Sequence, residues 1–365
     1  MSNLTVALAI LGGLVLAAVI GYNTWSSRRN APRQPDAVEG EAGRMTAPAP
    51  LSPQDPVLHM DPRSLPGHDR HEPLFDPDLP APAALPAPTA DRRGGLDPLI
   101  DVIAPVSLEG LASGDAALAA MPATRRAGSK PVAVEGLNEH TGEWELPAPG
   151  QRYGAFQVGV QLANRTGALN EIEYSEFVVK AQAFADAVNG APEFPEMLDE
   201  VARARELDQF AGVHDAQLGF VLRARHAAWS PGYVQQNASR LGFVAGVIPG
   251  RMVLPTSEAG LPPILGLSFD TQAALADDPA QSAIRELTLS LDVPQVDRAE
   301  QPFVRMREVA AALAREMDGV ITDGSGQLLR EDVMDVIGAD LEQLYDMLES
   351  RDLAAGSLLA RRLFS

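Results

Sequence analysis

Residues 5–22, TVALAILGGLVLAAVIGY, carry no charged side chain. As a helix rising about 1.5 Å per residue, the run spans about 27 Å, close to the hydrocarbon thickness of a bilayer. Tyr22 and Trp25 stand at its downstream end, where amphipathic rings favour the headgroup region. Arg28, Arg29 and Arg33 follow, whereas the preceding MSNL holds no Lys or Arg. A cleaved leader needs a basic start, a shorter apolar core and a small-residue cleavage site. The pattern therefore predicts an uncleaved anchor over residues 1–28. Arginines stay on the cytoplasmic side, so the N-terminus is expected outside and all that follows residue 28 inside.

Residues 29–95 read as a linker. Of the 30 prolines in the chain, 20 fall between residues 30 and 149, and LPAPAALPAPTA favours extended polyproline II. Such a segment buries too little apolar surface to offset its ordering entropy. Leu96, Leu99, Ile100, Val102, Ile103 and Val106 then interrupt this composition. They mark either the first strand or packing segment of a folded domain, or a short docking segment within the linker. The stretch 130–147 reads as a strand, a turn at His140-Thr141-Gly142 and another strand. Residues 96–151 are thus expected as an extension partly packed on a head formed by 152–365.

The head is patterned throughout. Residues 156–162, FQVGVQL, alternate as a half-buried strand does. A helix follows from Ser175, read as its N-cap, with Phe177, Ala181, Phe184 and Val188 on one stripe. Pro195 opens a second helix to about residue 210. Leu218, Phe220 and Leu222 alternate again, and Ser230-Pro231 begins a helix that stops at Gly242. Strands are expected at 243–247, 251–254, 264–269 and 287–291. A helix opens at Pro302, a short strand covers 319–322, Asp323-Gly324 turns, and a last helix carries Val333, Val336, Ile337, Leu341, Leu344 and Leu348. The sum is α+β: an antiparallel sheet with helices on one face and the other face open. Strand–loop–helix at 156–188 is echoed at 286–317, both helices opening with Phe.

Composition excludes several functions. Lys and Arg total 29 against 49 Asp and Glu, a formal net charge of −20, which lacks the basic face a nucleic-acid binder needs. With no cysteine, disulfides and thiolate chemistry are absent. His68 and His71, in HDRHE, read as a solvated polar turn, and His214 and His226 as surface residues beside a strand. No G-x-S-x-G or P-loop occurs, and Asp323-Gly324-Ser325-Gly326 lacks the lysine of a phosphate cradle. Glu171, Glu173 and Glu176 suit the start of a helix, where acidic groups favour the dipole. No catalytic residue, metal, cofactor or small-molecule substrate is expected.

FVRMREVAAALAREMDGVITDGSGQLLREDVMDVIGADLEQL (303–344) resembles the helix, short strand, Asp-containing turn and final helix of the ZipA family, and FVLRARHAAWSPGYVQQNASRLGFVAGV (220–247) is similar to that family's first strand and helix. The likeness covers roughly 215–350, and 130–212 is additional to shorter members. It implies a split β-α-β sheet with helices behind it. It also implies a division protein that ties FtsZ to the inner membrane, the FtsZ C-terminal tail lying in a shallow groove on the exposed sheet face. Carried onto this chain, that face is Gly219, Val221, Val247, Ser268, Thr288 and Ser290, with Arg223, Asp270 and Gln272 nearby. The family groove is lined partly by Met and Phe, whereas these positions are small or polar. The alternative, an envelope-spanning scaffold or energy transducer of the TonB type, shares the single helix and Pro-rich spacer but requires the opposite orientation.

Overall fold

The structure, a computed structural model, describes residues 33–34, 95–276 and 282–365. The expected membrane helix with Tyr22, Trp25, Arg28 and Arg29, and all of the linker except Arg33, Gln34 and Gly95, lie outside the described residues. Among the described residues no helix is long and apolar enough to cross a membrane.

The first half runs β1 (Asp101–Ser113), α1 (Gly114–Ala120), β2 (Arg126–Ala127), β3 (Lys130–Asn138), β4 (Trp144–Glu145), β5 (Arg152–Gln161), β6 (Ala163–Asn164), β7 (Gly167–Ala168), α2 (Glu171–Ala187), β8 (Gly190–Pro192) and α3 (Met197–His214). The second runs β9 (Gln217–Ala224), α4 (Pro231–Arg240), β10 (Val244–Ala245), β11 (Arg251–Leu254), β12 (Leu265–Phe269), α5 (Thr271–Leu275), β13 (Glu286–Asp292), α6 (Pro302–Glu316), β14 (Gly319–Thr322) and α7 (Glu331–Glu349). A last helix, α8 (Leu358–Leu363), closes the chain.

Two sheets form where the sequence pattern gave one. The first is ordered β2-β3-β5-β1-β8, with β4 also on β3; the second is β10-β11-β12-β13-β9-β14. All their pairings are antiparallel. The division expected at 151/152 falls inside the first sheet, because β5 is hydrogen-bonded to β1 on one side and β3 on the other. The alternation of each strand is local, whereas the choice of partner strand is made by long-range closure, so the sequence pattern could not assign these strands to separate sheets.

The sheets repeat one plan. In each, the opening strand (β1 or β9) is flanked by the last long strand (β5 or β13) and by a short strand that follows the next helix (β8 or β14). The helix-to-short-strand step is the same in both. Val188 and Met317 cap α2 and α6; Asn189 and Asp318 then take φ 55°, and Gly190 and Gly319 begin the strand. Asn and Asp tolerate this left-handed turn better than other residues with a β-carbon. A β-carbon at Gly190 would lie 2.6 Å from Val106 Cγ1. The echo between 156–188 and 286–317 is therefore part of a fold-level repeat.

Each sheet buries one face under helices. Val102, Ala104 and Val106 align with Val160, Val158 and Phe156 beneath Phe177 and Phe184 of α2; Phe156 and Phe184 meet edge-on at 5.2 Å. In the second half Phe220 and Leu222 join Leu287 and Leu289 under Phe303, Met306 and Leu313 of α6. Trp229, fully buried, donates from Nε1 to the Met317 carbonyl at 2.7 Å. Arg165 joins the halves, reaching Asp215 at 2.6 Å and Asp292 at 2.7 Å.

Several boundaries differ from the sequence pattern. α2 starts at Glu171 and not Ser175, because Asn170 accepts from the Ile172 and Glu173 amides at 3.0 Å and Glu173 accepts from the Asn170 amide at 3.2 Å. This reciprocal cap satisfies otherwise orphaned donors; the Ser175 hydroxyl donates back to the Glu171 carbonyl. α3 begins two residues after Pro195. The strand expected at 243–247 is confined to Val244–Ala245, since the chain turns back over 248–251, where the Arg251 amide donates to the Ile248 carbonyl at 3.0 Å.

Candidate functional site

The outward face of the second sheet follows from strand alternation. With Phe220, Leu222, Leu287, Leu289, Leu265 and Leu267 turned to the core, the intervening residues face away. Register places them in rows. Arg251, Ser268, Thr288, Val221 and Thr322 form one, and Val253, Gly266, Ser290 and Gly219 the next. Five of the six expected positions, Gly219, Val221, Ser268, Thr288 and Ser290, thus share contiguous rows.

Val247 does not. It lies beyond β10 in the turn before β11, fully exposed and off the rows. Asp270 caps α5, accepting from the Gln272 amide at 2.8 Å, so both also leave the face. Gly266, Val253 and Arg251 complete it and were not singled out from the sequence, whereas Thr322, in the same row, is buried with its hydroxyl donating to the Val221 carbonyl at 3.1 Å. The alternation of LGLSF carried the signal for Gly266. A β-carbon there would meet Ser290 Oγ at 2.6 Å, so a larger residue would displace the Ser290 hydroxyl.

Gly219, Gly266, Ser268, Thr288 and Ser290 bring small side chains or none to the middle of these rows, with the larger Val221, Val253, Arg223 and Arg251 at their rim. Arg223 stands in the adjoining row between Glu286, 3.5 Å away, and Val320. The 323–327 turn closes over it: a β-carbon at Gly326 would lie 2.9 Å from Arg223 Nη1. Asp323 organises that turn, accepting from Ser325 Oγ, the Ser325 amide and the Gln327 amide at 2.7–2.9 Å; these bonds hold its carboxyl below the usual range. The Asp-Gly-Ser-Gly stretch is thus a turn.

Arg33 is tied into the second half. Its amide donates to the Ala228 carbonyl, its carbonyl accepts from the Ser230 amide, and its guanidinium meets Asp318 at 2.8 Å. His226 Nδ1 also lies 2.9 Å from Asp318, and this hydrogen bond, followed by the charges of His226 and Arg33, lowers the carboxyl pKa. His214 ends α3 with Nδ1 at 2.7 Å from the Phe210 carbonyl. His68 and His71 lie outside the described residues.

A cleft of about 710 Å³ lies between α6 and α7, lined by Arg298, Phe303, Arg307, Leu341, Glu342 and Tyr345. Arg298 is held by Glu342 and by Asp346 at 2.9 Å. Burial pushes the Tyr345 hydroxyl up to about 12, so it stays protonated at neutral pH. Among the described residues no group of three or more His, Asp or Glu is placed to hold a metal ion.

Residues 275–339 match the protein family described as ZipA, C-terminal FtsZ-binding domain. They take in β13, α6, β14 and the start of α7, and the match supports the ZipA family as the one this chain resembles. It lends no support to the TonB-type alternative. No curated protein matches the chain.

Proposed function

We propose that this chain, carrying a ZipA-type domain, is a non-enzymatic adaptor of cell division that binds the C-terminal tail of FtsZ on the outward face of the second sheet. The match over 275–339 carries the reading, because it falls on the strand that supplies Thr288 and Ser290 and on the helix behind them. The open face offers small side chains and two rim arginines, so docking there relies on backbone approach and polar contact more than on large apolar anchors. The uncharged run 5–22 anchors the chain in the inner membrane with the head in the cytoplasm at the division site. Many heads on one membrane meeting one polymer gain avidity, so each contact can be weak.

Calorimetric titration of the full chain with an FtsZ C-terminal tail peptide tests the face. Saturable binding is expected, weakened at least about tenfold, or about 1.4 kcal/mol, by Val221→Glu and unchanged by Val247→Glu. Equal effects of the two variants reject this face; no binding by the native chain rejects the partner. Single cysteines placed before residue 5 and after residue 33 report orientation by labelling from either side of the membrane, since the native chain has none.

A further inference from the structure

The first half repeats the plan of the second, and its outward face is already occupied. Register sets Ile103, Gly159 and Ala133 in one row of that face, and Pro105, Gln157 and Glu135 in the next. Residues 95–99 lie across it without joining the ladder. The Ile100 and Asp101 amides both donate to the Asp97 carbonyl, making the turn that separates this segment from β1.

The contacts are those of a receptor for an extended peptide. A β-carbon at Gly159 would collide with both methyls of Leu96 and lie 3.2 Å from its Cγ, so the leucine sits directly on the glycine. Glu135, 1% exposed, accepts from the amides of Gly95 and Leu96, the latter at 2.8 Å, and from Gln157 Nε2 at 2.8 Å. Arg362 donates to the Gly95 carbonyl. One side chain is thus seated on a glycine, two amides are held by a buried carboxylate, and one carbonyl is held by a guanidinium. None of these contacts depends on the peptide belonging to the same chain.

We propose that this face is a second peptide-binding site, selective for a short extended Gly-Leu segment whose leucine seats on Gly159, and that residues 95–99 hold it closed in cis. A partner presenting the same chemistry competes with the tethered segment, whose effective concentration is on the order of millimolar. The site is separate from the face of the second sheet, so failure of the FtsZ-tail titration leaves it standing.

The probe is a capped Gly-Gly-Leu-Asp-Pro-Leu peptide, fluorescently labelled and titrated against the full chain. Leu96→Asp is expected to bind it one-to-one and at least about tenfold more tightly than the native chain. Adding Glu135→Leu, or replacing the peptide leucine with aspartate, should remove binding. A folded Leu96→Asp chain that ignores the peptide at millimolar concentration overturns the proposal. Should Leu96→Asp not fold, hydrogen exchange on the native chain decides. The Gly95 and Leu96 amides should exchange through a local opening well below global unfolding, and exchange only with global unfolding overturns it.

Discussion

Replacing Arg362 with methionine strands Asp101 in the core. The Asp101 side chain is fully buried at the start of β1, and Arg362 reaches it from α8 with two bonds of 2.6 and 2.9 Å while itself 22% exposed. Removing one member of a buried pair costs about 3–5 kcal/mol, because the remaining charge is left without compensation. The partial exposure of Arg362, and the 2.9 Å bond that Asp101 keeps from the Asp97 amide, place Arg362→Met near about 3 kcal/mol. Asp101→Asn with Arg362→Met removes the stranded charge and retains an acceptor for Asp97, so the deficit shrinks to about 1 kcal/mol. Burial raises the Asp101 pKa even against Arg362. The folded state therefore takes up this proton at a higher pH than the unfolded chain, and acidification through the folded pKa favours folding. Losing Arg362 enlarges that raise. Urea unfolding should accordingly show the single variant's deficit narrowing from about pH 7.5 to about pH 5, with the double variant's deficit nearly constant. Equal deficits in the two variants, or a single-variant deficit that widens on acidification, refute the reasoning.

Gly136→Ala should destabilise the first half by about 1–3 kcal/mol, since its β-carbon would lie 2.7 Å from Tyr153 Cγ and 2.9 Å from Phe156 Cε1; the midpoint of thermal unfolding reads this. Lys130 is fully buried, with Nζ held by Ser129 and Asn164, and burial lowers its pKa. The folded state thus loses this proton at a lower pH than the unfolded chain, and stability rises with pH between the two values. Lys130→Met should abolish that alkaline gain, measured as the slope of unfolding free energy between about pH 8 and about pH 10.

The second half was legible because its strands alternate cleanly. Phe220 and Leu222 against Gly219 and Val221, and Leu287 and Leu289 against Thr288 and Ser290, assign faces before any partner strand is known. Val247 lies off the face because alternation carries no information once the chain turns at 248–251, the Arg251 amide donating to the Ile248 carbonyl. The α2 start was missed for a related reason: Ser175 and Asn170 are both good caps, and the choice rests on Glu173 closing the reciprocal bond.

Periodicity, caps and turn residues are local properties, so the amino-acid order alone determined the types of the longer elements, the buried stripes of α2 and α6 and the small outward residues of β9, β12 and β13, but not the stripe of α7, where Val333 and Val336 are exposed and Met334 and Tyr345 are buried. The long uncharged run and the proline-rich stretch likewise set expectations for 1–95 that rest on composition. Tertiary structure decided what depends on residues far apart in the chain. It separated two sheets of one plan and brought Arg362 to Asp101 across 261 positions. It also seated Leu96 on Gly159. A leucine two residues before a proline reads the same in a linker as against a sheet. Only the missing β-carbon of a residue 63 positions away, on a strand whose pairing is fixed by long-range closure, makes it a seated side chain.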